Sequence, residues 1–385
     1  MPHHSSQSSL STHSQLVQPL IDGPIDIIGD IHGEIDALRS LLTKLGVDLV
    51  QQTVQRPLVF VGDLVDRGPD SVAVLDLVKG LVDRGQAQCI LGNHEFNLLN
   101  QEEKEGNGWF MGHHDTFQVK STHQESLDSS STSSHIPFDS QAVGIHQKKE
   151  YLNFISQLPL CLEREDLRVV HACWDSHAIQ ELPTHGDVVQ LKKDFDRKWK
   201  PSAEIAAQIK AELNQFKKLK NIDCKPTHIL EHFTVWDVKK NANPITRLTS
   251  GKEKVITHID QMQYKGGKWR QVVRDRWWHD YHEEPAVIVG HYWRSRQAAK
   301  DQTDDVPWNS TRFTDWVGAK GNVFCVDYSV GYRYKERYQA QQVHASKDQS
   351  SPSSHYGLAA LRWPERVLVF DDIPGEYPTT AWRKA

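Results

Sequence analysis

The chain has 385 residues, which is more than one small core needs, so one large domain with insertions or two domains are expected. Its 45 basic and 50 acidic residues nearly balance, which gives no general attraction to nucleic acid or to membranes. Five cysteines without a CxxC pair, and no apolar run near the roughly 20 residues of a membrane helix, indicate a soluble cytoplasmic protein.

The first residues are rich in serine, histidine and glutamine and lack an apolar signal core, so 1–20 is predicted to be a disordered tail. Residues 21–385 are predicted to form a single domain. Up to about residue 99, short apolar runs alternate with amphipathic helical patterns, which indicates a parallel or mixed sheet covered by helices. The first strands and helices are expected at Ile25–Ile28, 34–42, 58–61, 71–82 and 88–91.

Two insertions are predicted in the second and third quarters of the chain. Residues 101–149 lose periodicity and become serine-rich, which is typical of a long loop. Residues 180–283 are predicted to form a basic helical cap, since 192–220 carries nine basic and four acidic side chains around a helical apolar pattern. That helix is either simply solvated or lies beside a cleft and attracts anionic substrates.

The remaining strands are expected as a hairpin at 160–163 and 167–170, two strands at 286–289 and 323–326, and an edge hairpin near the carboxyl terminus. The edge hairpin is expected at 357–362 and 366–370.

Charged side chains directly follow the strand expected at 58–61, in the segment Gly62-Asp63-Leu64-Val65-Asp66-Arg67-Gly68. The glycines permit a sharp turn where the strand ends, and open α/β sheets bind ligands at such carboxyl ends. Asp63 has the position to bridge two cations, Asp66 to orient a neighbour, and Arg67 to bind a phosphate with its guanidinium fork.

Four other strand ends deliver oxygen or imidazole groups. Asp30 and His32 follow the first strand two residues apart, so both can face one metal. Asn93 and His94 follow the third strand. His171 and His291 follow two later strands.

The motifs GDIHG, GDLVDRG and GNHE, in this order and at these separations, resemble the phosphoprotein phosphatase branch of the calcineurin-like metallophosphoesterases. The resemblance covers roughly residues 22–100, 160–175 and 285–371. It implies an α/β fold in which two mixed β-sheets form a sandwich flanked by α-helices, with helical and loop insertions.

The resemblance also implies a dinuclear metal centre. One cation would be held by Asp30, His32 and Asp63, and the other by Asp63, Asn93, His171 and His291. These oxygen and imidazole donors suit two divalent cations, manganese first, with iron or zinc as alternatives.

In the resembled family a hydroxide that bridges the two cations attacks phosphorus directly, without a covalent enzyme intermediate. By this resemblance Arg67 would bind the phosphate oxygens and His94 would protonate the leaving oxygen. Asp66 would hydrogen-bond the other ring nitrogen of His94.

Some family features are replaced or cannot be placed. His171-Ala172 and the segment 327–329 resemble the bacterial members, which include diadenosine tetraphosphatases and serine/threonine protein phosphatases. A second phosphate-binding arginine is expected by position at Arg294 or Arg333.

Three functions fit these features. The first is a phosphatase that acts on phosphoproteins or small phosphoesters. The second is a dinucleoside polyphosphate hydrolase that acts on diadenosine tetraphosphate, and the third is a metal-binding sensor without turnover. The presence of Asp66, Arg67 and His94 favours an enzyme. No nucleic-acid or membrane partner is expected, and the sequence gives no oligomeric state.

Overall fold

The computed structural model describes residues 14–119, 134–198, 202–218, 240–265, 268–296, 308, 311–344 and 355–380. Among these residues no helix combines the length and apolar character needed to cross a bilayer. The helices are α1 (Ile35–Lys44), α2 (Ser71–Asp83), α3 (Asn93–Leu99), α4 (Gly108–Met111), α5 (Ile145–Ile155), α6 (Ser176–Gln180), α7 (Val188–Lys198), α8 (Ala203–Lys218), α9 (Pro244–Ser250) and α10 (Arg333–His344).

The strands are β1 (Ser14–Gln15), β2 (Val17–Pro19), β3 (Ile25–Ile28), β4 (Leu58–Phe60), β5 (Ala87–Cys89), β6 (Thr116–Val119), β7 (Ser134–Pro137), β8 (Cys161–Glu163), β9 (Leu167–Val170), β10 (His185–Gly186), β11 (Glu253–Val255), β12 (Gln263–Lys265), β13 (Lys268–Arg270), β14 (Val272–Arg274), β15 (Ala286–Val289), β16 (Val323–Cys325), β17 (Ala359–Trp363), β18 (Val367–Phe370) and β19 (Glu376–Pro378). Short 3₁₀ helices lie at Ile259–Gln261, Trp277–Asp280 and Val330–Tyr332.

Two mixed sheets form the centre of the fold. The six-stranded sheet has the order β19-β18-β17-β3-β4-β5, with β3, β4 and β5 parallel to one another. The five-stranded sheet has the order β16-β15-β9-β8-β2, with β16, β15 and β9 parallel. This arrangement confirms the predicted α/β class with two mixed sheets.

The sheets pack against each other through alternate residues of their strands. Ile27 and Val59 of one sheet share a buried cluster with Val169 of the other. Leu58 and Phe60, on either side of Val59, belong to a second cluster that contains the apolar residues of α1 and α2. Because side chains alternate along a strand, each central strand buries both faces, which explains the nearly continuous apolar runs in the sequence.

The prediction of a disordered tail over 1–20 is wrong for residues 14–20, which the structure describes. β2 pairs in parallel with β8, and Leu16 and Leu20 are buried on either side of it. The polar composition of the segment concealed these few apolar residues, whose burial adds an edge strand to the sheet. Residues 1–13 lie outside the described residues.

The loop predicted at 101–149 contains regular structure as well. It holds α4, the antiparallel pair β6 and β7, and the start of α5. Trp109 and Phe110 are buried in the core, and Phe117 is buried against Tyr334 of α10. Widely spaced aromatics of this kind give no periodic signal in the sequence. Residues 120–133 lie outside the described residues.

The predicted basic cap is only partly helical. It contains α7 and α8 in place of the single helix expected over 192–220, the further helix α9, and the hairpins β11–β14 and β12–β13. Residues 199–201, 219–239 and 266–267 lie outside the described residues. The hairpin β17–β18 is not at the sheet edge, because β17 also pairs with β3 and β18 with β19.

Candidate active site

The six predicted metal ligands follow parallel strands of both sheets, five of them in loops and Asn93 as the first residue of α3. Three of these segments follow β3, β4 and β5, and two follow β9 and β15. Because these strands end at one side of the sandwich, residues far apart in the sequence meet there. All six are buried or half-buried: Asp30, His32, Asp63, Asn93, His171 and His291.

One group of four donors surrounds a common point. His171 Nε2 lies 3.3 Å from Asp63 Oδ2 and 3.2 Å from Asn93 Oδ1. His291 Nδ1 lies 2.8 Å from Asn93 Oδ1. Such separations are those of ligands that share one cation with bonds of roughly 2.1 Å.

The second group is looser: donor atoms of His32, Asp63 and His94 lie within 4.8 Å of one another, and the predicted ligand Asp30 precedes His32 in the same loop. His32 Nε2 lies 3.8 Å from Asp63 Oδ2. Asp30 Oδ2 accepts a hydrogen bond from the backbone N–H of His291 at 3.0 Å, whereas its Oδ1 is buried without a hydrogen-bond partner among the described residues. A Cβ at Gly290 would lie 2.1 Å from Asp30 Oδ1, so only glycine allows this approach.

Backbone groups fix the orientation of the two histidines nearest Asp63. His32 Nδ1 donates to the carbonyl of Val65 at 3.1 Å, and His171 Nδ1 donates to the carbonyl of Val61 at 2.7 Å. A carbonyl can only accept, so in each ring the lone pair of Nε2 is left facing the site.

Glu95, which the sequence analysis did not assign, holds the turn that carries Asp63. Its carboxylate accepts hydrogen bonds from the backbone N–H groups of Asp63, Leu64 and Gly92 at 2.7–3.1 Å. Burial and the neighbouring Asp63 raise the pKa of Glu95 to about 7. In the sequence, this role of Glu95 was indicated by its position as the last residue of the GNHE motif.

Opposite charges converge on Asp63. Burial alone would raise the pKa of Asp63, but His171 and His94 hold it well below its usual range. Burial alone would lower the pKa of His171, but the carboxylates of Asp63 and Asp30 raise it to about 10. A divalent cation held by His171 and Asp63 would take the place of this proton.

The donor set fits two divalent cations. It combines carboxylate, amide and imidazole donors, with the buried Asp30 Oδ1 left to accept a positive charge. Burial and the nearby Asp327 raise the pKa of Asp30 well above its usual range, and the charge of His171 offsets this rise only in part. The same donors suit manganese, iron or zinc, so they do not select one metal.

Arg67, His94 and Asp66 form a hydrogen-bonded chain beside this group. His94 Nδ1 lies 2.6 Å from Asp66 Oδ2. The guanidinium of Arg67 reaches Nε2 of both His94 and His32 at 3.2 Å. His94 Nε2 also lies 3.9 Å from Asp63 Oδ2, so the cationic fork of Arg67 is directed to the point where the donors converge.

The 101–149 insertion supports this chain. Trp109 Nε1 donates to Asp66 Oδ1 at 2.8 Å, and the carbonyl of Gly106 accepts from the backbone N–H of Arg67 at 3.1 Å. Neither contact is predictable from the sequence, since nothing in the local pattern of the insertion relates it to residues some forty positions earlier.

Left-handed backbone conformations are concentrated at the site. In the described part of the chain, seven of the ten non-glycine residues with positive φ lie here or in the adjoining loops. Such conformations cost free energy and persist where surrounding contacts impose them. They are His32, Asp63, Asp66, Arg67, His291, Trp293 and Ser329.

The structure does not bring the two expected arginines into the site. The guanidinium of Arg294 is fully buried and donates to backbone carbonyls, including those of Arg312 and Asp315 at 2.6 and 2.7 Å. Arg333 pairs with Asp371 at 2.6 Å. Arg294 and Arg333 were expected to bind phosphate because of their positions in the sequence, but those positions did not predict the direction of their side chains.

Arg274, at the end of β14, lies beside the predicted metal ligand His291. It donates to the carbonyl of His291 at 3.1 Å, and its Cζ lies 5.1 Å from the Trp293 ring. Burial and the charge of Arg274 lower the pKa of His291 well below its usual range. Arg274 lies in an insertion without a recognisable motif, so no sequence signal identified it.

Comparisons with known proteins agree with this geometry. A family model described as calcineurin-like phosphoesterase matches residues 23–313. The asymmetrical bis(5′-nucleosyl)-tetraphosphatase PrpE of Oceanobacillus iheyensis is 51% identical over 74 residues, which are 18% of this chain and 30% of that protein. The symmetrical bis(5′-nucleosyl)-tetraphosphatase of Ralstonia nicotianae is 45% identical over 76 residues, 20% of this chain and 24% of that protein.

The chain therefore spans less than a third of the length of these curated relatives. Among solved structures, a cold-active protein-tyrosine phosphatase of a Shewanella species is 14% identical with a TM-score of 0.41. That similarity covers 93% of this chain and 80% of the phosphatase.

Proposed function

The chain belongs to the calcineurin-like phosphoesterase family, and we propose that it is a metal-dependent phosphatase that hydrolyses phosphomonoesters. The substrate is a phosphorylated protein or a small phosphoester. The residues proposed to hold two divalent cations, manganese first, are Asp30, His32, Asp63, Asn93, His171 and His291.

The observation that carries this proposal is the position of the Arg67 guanidinium. It lies 3.2 Å from Nε2 of both His32 and His94, beside the converging donors around Asp63. A planar cationic fork at this point suits a phosphoryl group, whose oxygens accept two parallel hydrogen bonds. A site that only bound metal ions would gain nothing from a cation so close to them.

The residues of the chain divide the chemistry among them. Two cations, when bound, polarise the phosphoryl oxygens and lower the pKa of water. Arg67 and Arg274 bind the phosphate oxygens and orient the ester. In its imidazolium form His94 donates the proton on Nε2 to the leaving oxygen, while Asp66 accepts from Nδ1 and holds the ring in place.

A second candidate function is hydrolysis of dinucleoside tetraphosphates. It is favoured by the similarity to two proteins named bis(5′-nucleosyl)-tetraphosphatases. The same metal ligands would serve this reaction, and the cationic side chains of Arg67 and Arg274 would accommodate a longer phosphate chain.

Turnover assays with Mn²⁺ test the proposal. We expect the purified protein to hydrolyse p-nitrophenyl phosphate, and bound metal without turnover of any phosphoester would support the sensor hypothesis instead. A phosphopeptide and diadenosine tetraphosphate are then compared side by side. A tenfold difference in kcat/KM, equivalent to about 1.4 kcal/mol in the transition state, decides between the two candidate substrates.

A further inference from the structure

Two aromatic rings stand at right angles beside the phosphate-binding arginine. The rings of Trp293 and Tyr332 have centroids 5.1 Å apart and an interplanar angle of 89°. Both residues are half-buried, so each keeps part of its surface exposed. We call this pair, Trp293 and Tyr332, the aromatic corner.

The aromatic corner adjoins the proposed position of the phosphoryl group. Arg67 Cζ lies 5.7 Å from the centroid of the Trp293 ring and 5.9 Å from that of Tyr332. The ring of a phenyl ester adjoins the ester oxygen, and the base of a nucleotide lies one sugar further from phosphorus. A planar leaving group on a phosphate bound by Arg67 can therefore reach both rings.

One buried carboxylate holds the two loops that carry the aromatic corner. Asp327 Oδ2 accepts from the backbone N–H of Trp293, and Oδ1 accepts from that of Ser329, both at 2.8 Å. Trp293 has a φ of 51° and Ser329 a φ of 63°. Because these left-handed conformations are costly, the fold maintains the two loops in a defined arrangement.

Cations surround the aromatic corner. Arg274 Cζ lies 5.1 Å from the Trp293 ring, and Lys335 Nζ lies 4.5 Å from the Tyr332 ring. Among the residues that the structure describes, no ion pair joins Arg67, Arg274 or Lys335 to a carboxylate, although the charge of Glu105 acts on Lys335 and Tyr332 from a greater distance. An anionic ligand with a flat apolar part matches both the charge and the shape of this surface.

We propose that the aromatic corner binds a planar aromatic ring on the leaving side of the phosphoester, and so determines substrate specificity. This inference rests on the proposed phosphatase function. The ring belongs either to a nucleobase or to a phenol, since each offers the same flat π-surface for stacking. The competing interpretation is that Trp293 and Tyr332 only support Arg67, in which case they would affect all phosphoesters equally.

Calorimetric titration of the Mn²⁺-loaded protein with phenylphosphonate and methylphosphonate tests the proposal. Neither probe is a phosphoester, so binding is measured whether or not the protein turns over substrate. We expect at least tenfold tighter binding of phenylphosphonate. Trp293→Leu should reduce this preference to less than threefold, while Trp293→Phe should retain it, and Tyr332→Leu provides a second, independent variant.

Equal weakening of both phosphonates by Trp293→Leu and Tyr332→Leu would overturn the proposal, as would a wild-type protein that binds both equally or binds neither. A comparison of adenosine monophosphate with ribose 5-phosphate identifies the ring. A tenfold preference for the nucleotide assigns the aromatic corner to a nucleobase, and a preference confined to phenylphosphonate assigns it to a phenol. Failure of the phosphatase assay alone would refute only the proposed function.

Discussion

At the scale of single residues, the site depends on side chains in which one polar atom is held by a hydrogen bond and the other faces the site. His94 is the clearest case, because Asp66 accepts from Nδ1 and leaves Nε2 facing Arg67. A proton donor must be held within hydrogen-bond reach of the leaving oxygen, and a ring fixed at one nitrogen satisfies this condition without further ordering.

His94→Ala tests the proposed acid. We expect kcat to fall by about 10²- to 10⁴-fold with an alkyl phosphate and by less with p-nitrophenyl phosphate, because nitrophenolate leaves without a proton. The exposed His177 gives the matched control, and His177→Ala should leave both rates unchanged. Equal losses for the two substrates would contradict a role for His94 in protonating the leaving group.

Arg274→Ala tests the second phosphate-binding cation. Charge-assisted hydrogen bonds contribute about 1.5 to 3 kcal/mol, so we expect KM to rise roughly 10- to 100-fold in steady-state kinetics. Arg39, exposed on α1, offers a control substitution that removes the same charge far from the ligands. An unchanged KM for Arg274→Ala would leave Arg67 as the sole phosphate-binding arginine of this proposal.

At the scale of elements, the insertions contribute contacts that the central strands cannot. α4 brings Trp109 against Asp66, and the hairpin of β14 brings Arg274 against His291. α6 is tied to the following insertion through Asp175, which accepts from Ala178 N and pairs with Lys252 and Arg247. The insertions therefore help to hold the residues of the site in position.

Trp109→Phe should lower kcat roughly tenfold, because it removes only the N–H that holds Asp66 and keeps an aromatic ring in the core. Trp174 provides a matched control, since its Nε1 donates to Ser176 Oγ away from the ligands. Trp174→Phe should leave kcat unchanged. If the two variants retain the same kcat, α4 has no part in orienting the acid.

Asp175→Asn should lower the free energy of unfolding by about 1 to 2 kcal/mol at pH 7. Burial alone would raise the pKa of Asp175, but Lys252, Ala178 N–H and Arg247 lower it to about 2. A depressed pKa contributes stability above the unfolded value near 4, which is lost as the pH falls toward 2. Urea titrations of both proteins should therefore converge between pH 4 and pH 2, and a pH-independent difference would contradict this assignment.

The sequence alone predicted the elements that supply most of the site. Each apolar run ends abruptly in glycine and a charged or amide residue, which marks Asp30, Asp63 and Asn93 as residues at strand ends. It did not predict Trp109 or Arg274. Their roles arise from contacts between segments that are distant in the sequence. Such contacts cannot be predicted from hydrophobic periodicity or from a sequence motif.

At the scale of the whole molecule, the candidate site lies where the two sheets meet. One sheet supplies Asp30, His32, Asp63 and Asn93, and the other supplies His171 and His291. Neither sheet alone presents all six of the proposed ligands. Formation of the site thus requires the packing of Ile27 and Val59 against the opposing sheet.

The metal content of the purified protein, measured per chain by mass spectrometry after equilibration with Mn²⁺, tests this convergence most directly. We predict two ions in the wild-type protein, two in His94→Ala, and fewer than one in Asp63→Ala, because Asp63 is the ligand proposed to be shared by both cations. A wild-type protein with one ion or none, or a His94→Ala variant that loses an ion, would contradict the proposed site.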